Sequence, residues 1–262
     1  MLVSRTMEPT HAGRGIKPRR WSWPRLPLRS RRRGRLAALG ASLLLLGCAS
    51  TPPSHFYTLT PIPDAVGRAG NMAGDGIAGG LGPVTFPQFL DRPQLVTRDG
   101  ANQLTVDEFH RWGGTVQDDF LRVWGENLSA LLDTSRVALF PSESRMPLDF
   151  RVLAEVIAFE GTAQREAVLK VRWMVTDERR TRSFVAREDA YRCPITQSPT
   201  AGAATGRDAG AAATARNAAI VAAMSRCLGD FSRDVAAVLG TLPKPQPPQP
   251  PATISPLPPA ER

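Results

Sequence analysis

"DFRVLAEVIAFEGTAQREAVLKVRWMVTD", Asp149 to Asp177, decides the fold of this chain. In its first half Phe150, Val152, Ala154, Val156 and Ala158 fall on alternate positions. In its second half Ala167, Leu169, Val171, Trp173 and Val175 alternate with Glu166, Lys170 and Arg172. A period of two marks strands with one face dry and one face wet. The link between them is short, which predicts an antiparallel hairpin. After "DERR" (Asp177–Arg180), the stretch "RTRSFVARED" adds a third strand in the same way.

Upstream the elements are shorter. "HFYTL" (His55–Leu59) reads as a first strand, and "LGPVTFP" and "RPQLVTR" as strands on either side of "QFLD". "NQLTVDEF" and "SRVALFPS" are two more. Between those two, "TVQDDFLRVWGENLSALL" (Thr115–Leu132) changes period. Phe120, Trp124, Leu128 and Leu131 recur on one helical face, with Asp118 and Asp119 in the first turn, where negative charge suits the helix dipole. A long helix closes the pattern, with Ile220, Met224, Leu228, Phe231, Val235 and Val238 as its stripe and Gly240 as its cap. The fold class expected is α/β with α+β character: one mixed, largely antiparallel sheet with two principal helices packed on it. No internal repeat is visible.

The N-terminal part follows different rules. Arg29, Arg31, Arg32, Arg33 and Arg35 precede an apolar run from Leu36 to Leu46. As a helix that run would be about 16 Å long, too short for a bilayer core of about 30 Å. It has the length and flank of a signal peptide. It ends Leu45-Leu46-Gly47-Cys48, which resembles the bacterial lipobox, with Leu46 where a small residue is more usual. On that pattern Cys48 carries the covalent lipid and becomes the first residue of the mature chain. Residues 1–47 are then a signal peptide with a long basic leader, and 48–54 a lipidated linker.

Removing that leader changes the charge. The chain holds 33 Lys/Arg against 24 Asp/Glu, formally +9. Residues 1–47 hold eleven of the bases and one of the acids, so 48–262 hold 22 against 23, formally −1. The basic excess that would suggest a nucleic-acid partner leaves with the signal. The domain is expected over 55–241, with glycine- and alanine-rich inserts at about 64–80 and 195–211. Residues 242–262 form a proline-rich tail, for which an extended, disordered course is expected. Cys193, which follows a predicted strand, and Cys227, which lies in the predicted last helix, are the other cysteines. In an exported chain they either form a bridge across about 35 residues or stay as two separate buried thiols.

Chemistry is hard to find. No P-loop, G-x-S-x-G, H-E-x-x-H, dinucleotide glycine pattern or CxxC is present. His110 lies beside Asp107, Glu108 and Arg111, but one histidine with two acids is a poor metal set. Asp118 and Asp119 are neighbours on a helix and do not share a face. No enzyme, no metal and no cofactor other than the lipid on Cys48 is expected.

"GPVTFPQFLDRPQLVTRDGANQLTVDEFHRWGGTVQDDFLRVWGENLSALL" (Gly82–Leu132) closely resembles the PqiC/YmbA family of ABC-type transport auxiliary lipoproteins. "FLDRPQLVTR", "EFHRW" and "ENLSALL", in that order, carry the resemblance, together with the lipobox and "FYTL". It covers most of residues 48–241. The insert before Gly82, the stretch after Cys193, the tail and the leader depart from it. The resemblance implies a lipid-anchored periplasmic protein that accompanies an MCE-type lipid transport system. An MCE-domain protein is then the partner, and a symmetric ring partner implies a homo-oligomer. Ala49 after the lipidated cysteine, where Asp would retain the protein at the inner membrane, implies the outer membrane. Phe89, Leu90, Arg92 and Trp112 are the candidate interface residues, since Arg and aromatic side chains are enriched at contacts. Equally, they fix a turn and pack the sheet. The alternative function is a general envelope-integrity or outer-membrane assembly lipoprotein with no transporter partner.

Overall fold

The hairpin read from Asp149–Asp177 sits at the middle of an eight-stranded sheet. The computed structural model describes residues 53–63, 76–141, 146–196 and 207–243, all within the compact unit Pro52–Arg262. Cys48 with its lipobox, most of the first insert, residues 197–206 of the second and the tail from 244 lie outside the described residues.

In chain order the elements are β1 (His55–Tyr57), β2 (Gly79–Thr85), β3 (Gln94–Arg98), β4 (Leu104–Trp112), α1 (Val116–Leu131), β5 (Val137–Leu139), β6 (Phe150–Thr162), β7 (Glu166–Thr176), β8 (Ser183–Pro194) and α2 (Arg207–Thr241). The sheet is mixed. The β6–β7, β7–β8 and β3–β4 ladders are antiparallel. Shorter parallel ladders join β2 to β6 and β5, β3 to β6, and β1 to β4. One edge of β6 is taken by β7. Its other edge is shared by β2, along Phe150–Glu155, and β3, at Gly161–Thr162. Gly82 allows β2 to bend there: its φ is +101°, and a Cβ would stand 2.8 Å from the Phe140 carbonyl oxygen.

Both helices pack on one face of the sheet, α1 over β2 and β5, and α2 over β6, β7 and β8. Burial follows the alternation: Phe150, Val152, Ala154 and Val156 of β6 and Ala167, Leu169, Val171, Trp173 and Val175 of β7 are core residues. The phase then slips. Ile157 is an extra residue between the Val156–Val171 and Ala158–Lys170 pairs, so Phe159, not Ala158, enters the core opposite Leu169. At the centre Phe120 of α1 meets Phe231 of α2 and Phe159 of β6, Trp124 of α1 stacks on Phe231, and Trp173 of β7 reaches Phe231 as well. The opposite sheet face is wet. There Arg172 pairs with Glu155 at 2.8 Å and Glu188 at 2.9 Å, in exposed positions where such pairs contribute little.

Three other details differ from the periodicity. Leu131 is exposed, because α1 turns it away from the sheet in its last turn. Gly240 lies inside α2, which runs to Thr241, and does not cap it. Cys193 belongs to β8 rather than following it, and is bridged to Cys227 of α2 with their Cα atoms 5.7 Å apart.

The chain beyond β1 crosses the two helices without a strand partner, so side chains take its amides. The Leu59 N–H donates to Asp119 Oδ2 (2.5 Å), Thr60 N–H to Ser225 Oγ (3.1 Å) and Ile62 N–H to Asn127 Oδ1 (2.8 Å). Asn127 is fully buried and donates onward to Ser232 Oγ at 3.1 Å. Ile62 lies so close to Gly229 that a Cβ there would meet it at 2.7 Å. Asp119 therefore does more than face the helix dipole: it also pairs with Arg122 and holds this crossing segment.

Candidate docking surface

Two of the segments that carry the resemblance, "FLDRPQLVTR" and "EFHRW", touch each other. Pro87 to Pro93 forms a tight connection between β2 and β3, closed by Leu90 N–H to Pro87 O (2.9 Å) and Arg92 N–H to Leu90 O (2.9 Å). The Trp112 N–H donates to Pro93 O at 2.7 Å, which pins this connection to the end of β4. The four candidate interface residues then divide. Leu90, 4% exposed, and Trp112, 6% exposed, belong to the core. Phe89 is half-buried, with the Arg98 guanidinium 5.9 Å from its ring centre. Arg92 is exposed and its guanidinium makes no hydrogen bond or ion pair with a described residue. Of the four, Phe89 and Arg92 are thus the ones a partner can reach. The other two set the shape of this connection from below.

His110 sits in a network that the residue pattern did not reveal. It is buried and stacked between rings, 5.1 Å from His55 and 5.8 Å from Tyr57. Its Nδ1 contacts Asp107 Oδ1 at 2.9 Å and its Nε2 approaches Thr214 Oγ1 at 3.4 Å. Asp107 also accepts from the Phe109 and His110 amides (3.1 Å each) and from Asn217 Nδ2 (3.1 Å). One carboxylate therefore folds the end of β4 and ties it to α2. Burial pushes the Asp107 carboxyl up, but the bonds from His110, the Phe109 amide and Asn217, with the His110 charge, outweigh it and hold it below its ordinary value. Burial first, and then the Asp107 charge, push the Tyr57 phenol up. The sequence offers Asp107 and His110 as neighbours, yet Thr214 and Asn217 are over a hundred residues away, and no local signal joins them.

This network has a pH consequence. The folded-state value of Asp107 is depressed, so its ionised form adds stability above the ordinary value near 3.8. That contribution fades as pH falls through the folded value. Urea unfolding at about pH 6 and about pH 3 is expected to show a smaller acid loss for Asp107→Asn than for the parent chain. Equal losses would mean that the carboxylate contributes nothing in this window.

Among the described residues, no group of three or more His, Cys, Asp or Glu side chains could hold a metal ion. No described helix is long and apolar enough to cross a membrane.

The family model of the ABC-type transport auxiliary lipoprotein component matches residues 57–236. The chain belongs to this family. The match runs from β1 into the last turns of α2, and so takes in the whole described sheet except its first two residues. Solved structures of similar outline include a crystal structure of an uncharacterized protein. It is 12% identical, with 72% of this chain and 99% of that one covered and a TM-score of 0.49. Protein XCC0632 from Xanthomonas campestris, of family model DUF330, is 15% identical, with 71% and 94% covered and a TM-score of 0.47. No curated protein sequence matches the chain. An auxiliary lipoprotein of ABC-type transport belongs to the cell envelope and serves partner proteins. The family is a transport component, not a class of enzyme.

Proposed function

We propose that this auxiliary lipoprotein is anchored by Cys48 to the periplasmic face of the outer membrane and docks, without catalysis, an MCE-domain protein of an intermembrane lipid transporter. The family match over residues 57–236 carries the reading. The anchor fits the task, because one acyl chain binds a membrane marginally while several bind firmly. Ala49 after the cysteine favours the outer membrane. The exposed Phe89–Arg92 connection is the proposed contact, and a ring-shaped partner favours a ring of identical auxiliary subunits.

The test is affinity recovery of the tagged protein from crosslinked, detergent-solubilised membranes, with partners identified by mass spectrometry. An MCE-domain protein is expected with the parent chain, and about tenfold less of it with Arg92→Glu, as for a charged residue at an interface centre. Recovery that also fails with Cys48→Ala makes docking dependent on the anchor. Absence of any MCE or ABC component from the parent chain overturns the reading and favours an envelope-integrity lipoprotein without a transporter. Equal recovery with Arg92→Glu moves the contact elsewhere on the domain.

A further inference from the structure

Apolar surface gathers where the chain leaves its lipid. Among the described residues four large hydrophobic side chains are exposed: Phe56 at 67%, Phe109 at 37%, Leu131 and Met174. The two phenylalanines lie on the paired strands β1 and β4. Beside them opens a groove of about 830 Å³. Pro53, His55 and Phe109 line one side of it, and Ala211, Ala215 and Ala218 of α2 the other. Its lining is mostly apolar. Of the carboxylates nearby, Asp107 is taken up by its bonds with His110 and Asn217, and Glu108 pairs with Arg111 at 3.8 Å.

Position says what covers this surface. Pro53, the first described residue, lines the groove, and Cys48 stands five positions before it. At about 3.4 Å per residue that tether is at most roughly 17 Å long. A surface so tethered meets the leaflet at a high effective concentration, whatever else is in solution. Exposed apolar patches of this kind mark protein or membrane contacts. The short tether favours the membrane here, and the mostly apolar lining makes the contact apolar rather than electrostatic.

We infer that the β1 edge of the sheet, with Phe109 and the groove mouth on its α2 side and Phe56 on the other side of the strand, forms a membrane-contact face. It rests on the leaflet that holds the lipid, with the two rings in the boundary between headgroups and acyl chains. The lipid then does more than tether the domain: together with this face it sets which way the domain stands on the membrane. The inference rests on the Cys48 anchor but not on any MCE partner.

The experiment uses the full lipidated chain in vesicles of phosphatidylethanolamine and phosphatidylglycerol. A nitroxide is placed by Phe56→Cys, by Phe109→Cys or by Met174→Cys, the last on the wet face of the sheet. With Cys193 and Cys227 bridged, each variant offers one free thiol. Spin relaxation by oxygen and by a water-soluble nickel complex reads depth. At 56 and 109, oxygen access several-fold above that at 174, with reduced nickel access, is expected, and it should survive high salt. Access at 56 and 109 equal to that at 174 overturns the inference. Protection from both reagents also overturns it, because it means a second copy or a protein partner covers the face. The intact mass, measured first, separates the two readings. A chain without lipid on Cys48 overturns anchor and contact face together; a lipidated chain with water-exposed labels overturns the face alone.

Discussion

Phe231→Ala is expected to destabilise the protein by about 3–5 kcal/mol, the range for a large aromatic removed from a core. Native domains have only about 5–15 kcal/mol in total, so this one change should bring the chain close to unfolding at physiological temperature. Phe231 is where the layers meet. Its ring lies 5.1 Å from Trp124, 6.0 Å from Trp173, 5.9 Å from Tyr191 and 6.4 Å from Phe120. It therefore touches α1, β7 and β8 from its place on α2. Alanine would leave a void that these four rings cannot close, since the backbones of three different elements hold them in place. Urea unfolding should show a lower midpoint with the slope unchanged. Leu131→Ala, on the exposed turn of α1, is the control and should change stability by no more than about 0.5 kcal/mol. Similar losses for both would mean that the aromatic cluster is not the centre of the core.

The second large effect concerns Cys193 and Cys227. They are 34 residues apart in sequence, and the bridge closes the chain between β8 and α2. Closing a loop of that size restricts the unfolded chain by about 3–4 kcal/mol. The double variant Cys193→Ser/Cys227→Ser should lose that amount, which at this chain length is roughly 6–15 °C in Tm. Reduction of the parent chain should lower Tm to a similar degree, because both sulfurs are buried and the serines add only a small polar penalty. Free-thiol titration of the unfolded, unreduced chain settles the premise: two free thiols from these positions would mean that no bridge forms in the cell.

The reach of the sequence can be followed element by element. The β6–β7 hairpin was legible because both of its strands bury the same face, and a period of two records that directly. Phe120, Trp124 and Leu128 were legible for the same reason at a period near four. The slip at Ile157 was not, because a bulge leaves composition unchanged and moves only the phase. Leu131 was misplaced because helical periodicity says which residues share a face, but not how far the partner surface extends along it. The Asp107–Asn217 and Leu59–Asp119 bonds join residues 110 and 60 positions apart, and such pairs leave no local pattern. Asn127 did leave one: it is a polar residue on the apolar face of α1, between Trp124 and Leu128, and a buried polar side chain there requires a partner.

The candidate surface divides in the same way. "FLDRPQ" and "HRW" stood out as segments in the sequence, but which of their side chains face outward depended on where the Pro87–Pro93 connection packs. Leu90 and Trp112 went inward because the sheet has room for them beneath that turn, while Arg92 stayed in water. By itself the sequence determined the lipobox-like pattern, the charge of residues 48–262, the central hairpin, the two helices and the family, since all of these are written in neighbouring residues or fixed short periods. Only the tertiary structure decided which residues of the candidate segments are exposed, how His110 is held and where apolar surface gathers beside Pro53. Those depend on distances between parts of the chain that are far apart in sequence, and burial, which drives them, is a property of the assembled layers rather than of any one segment.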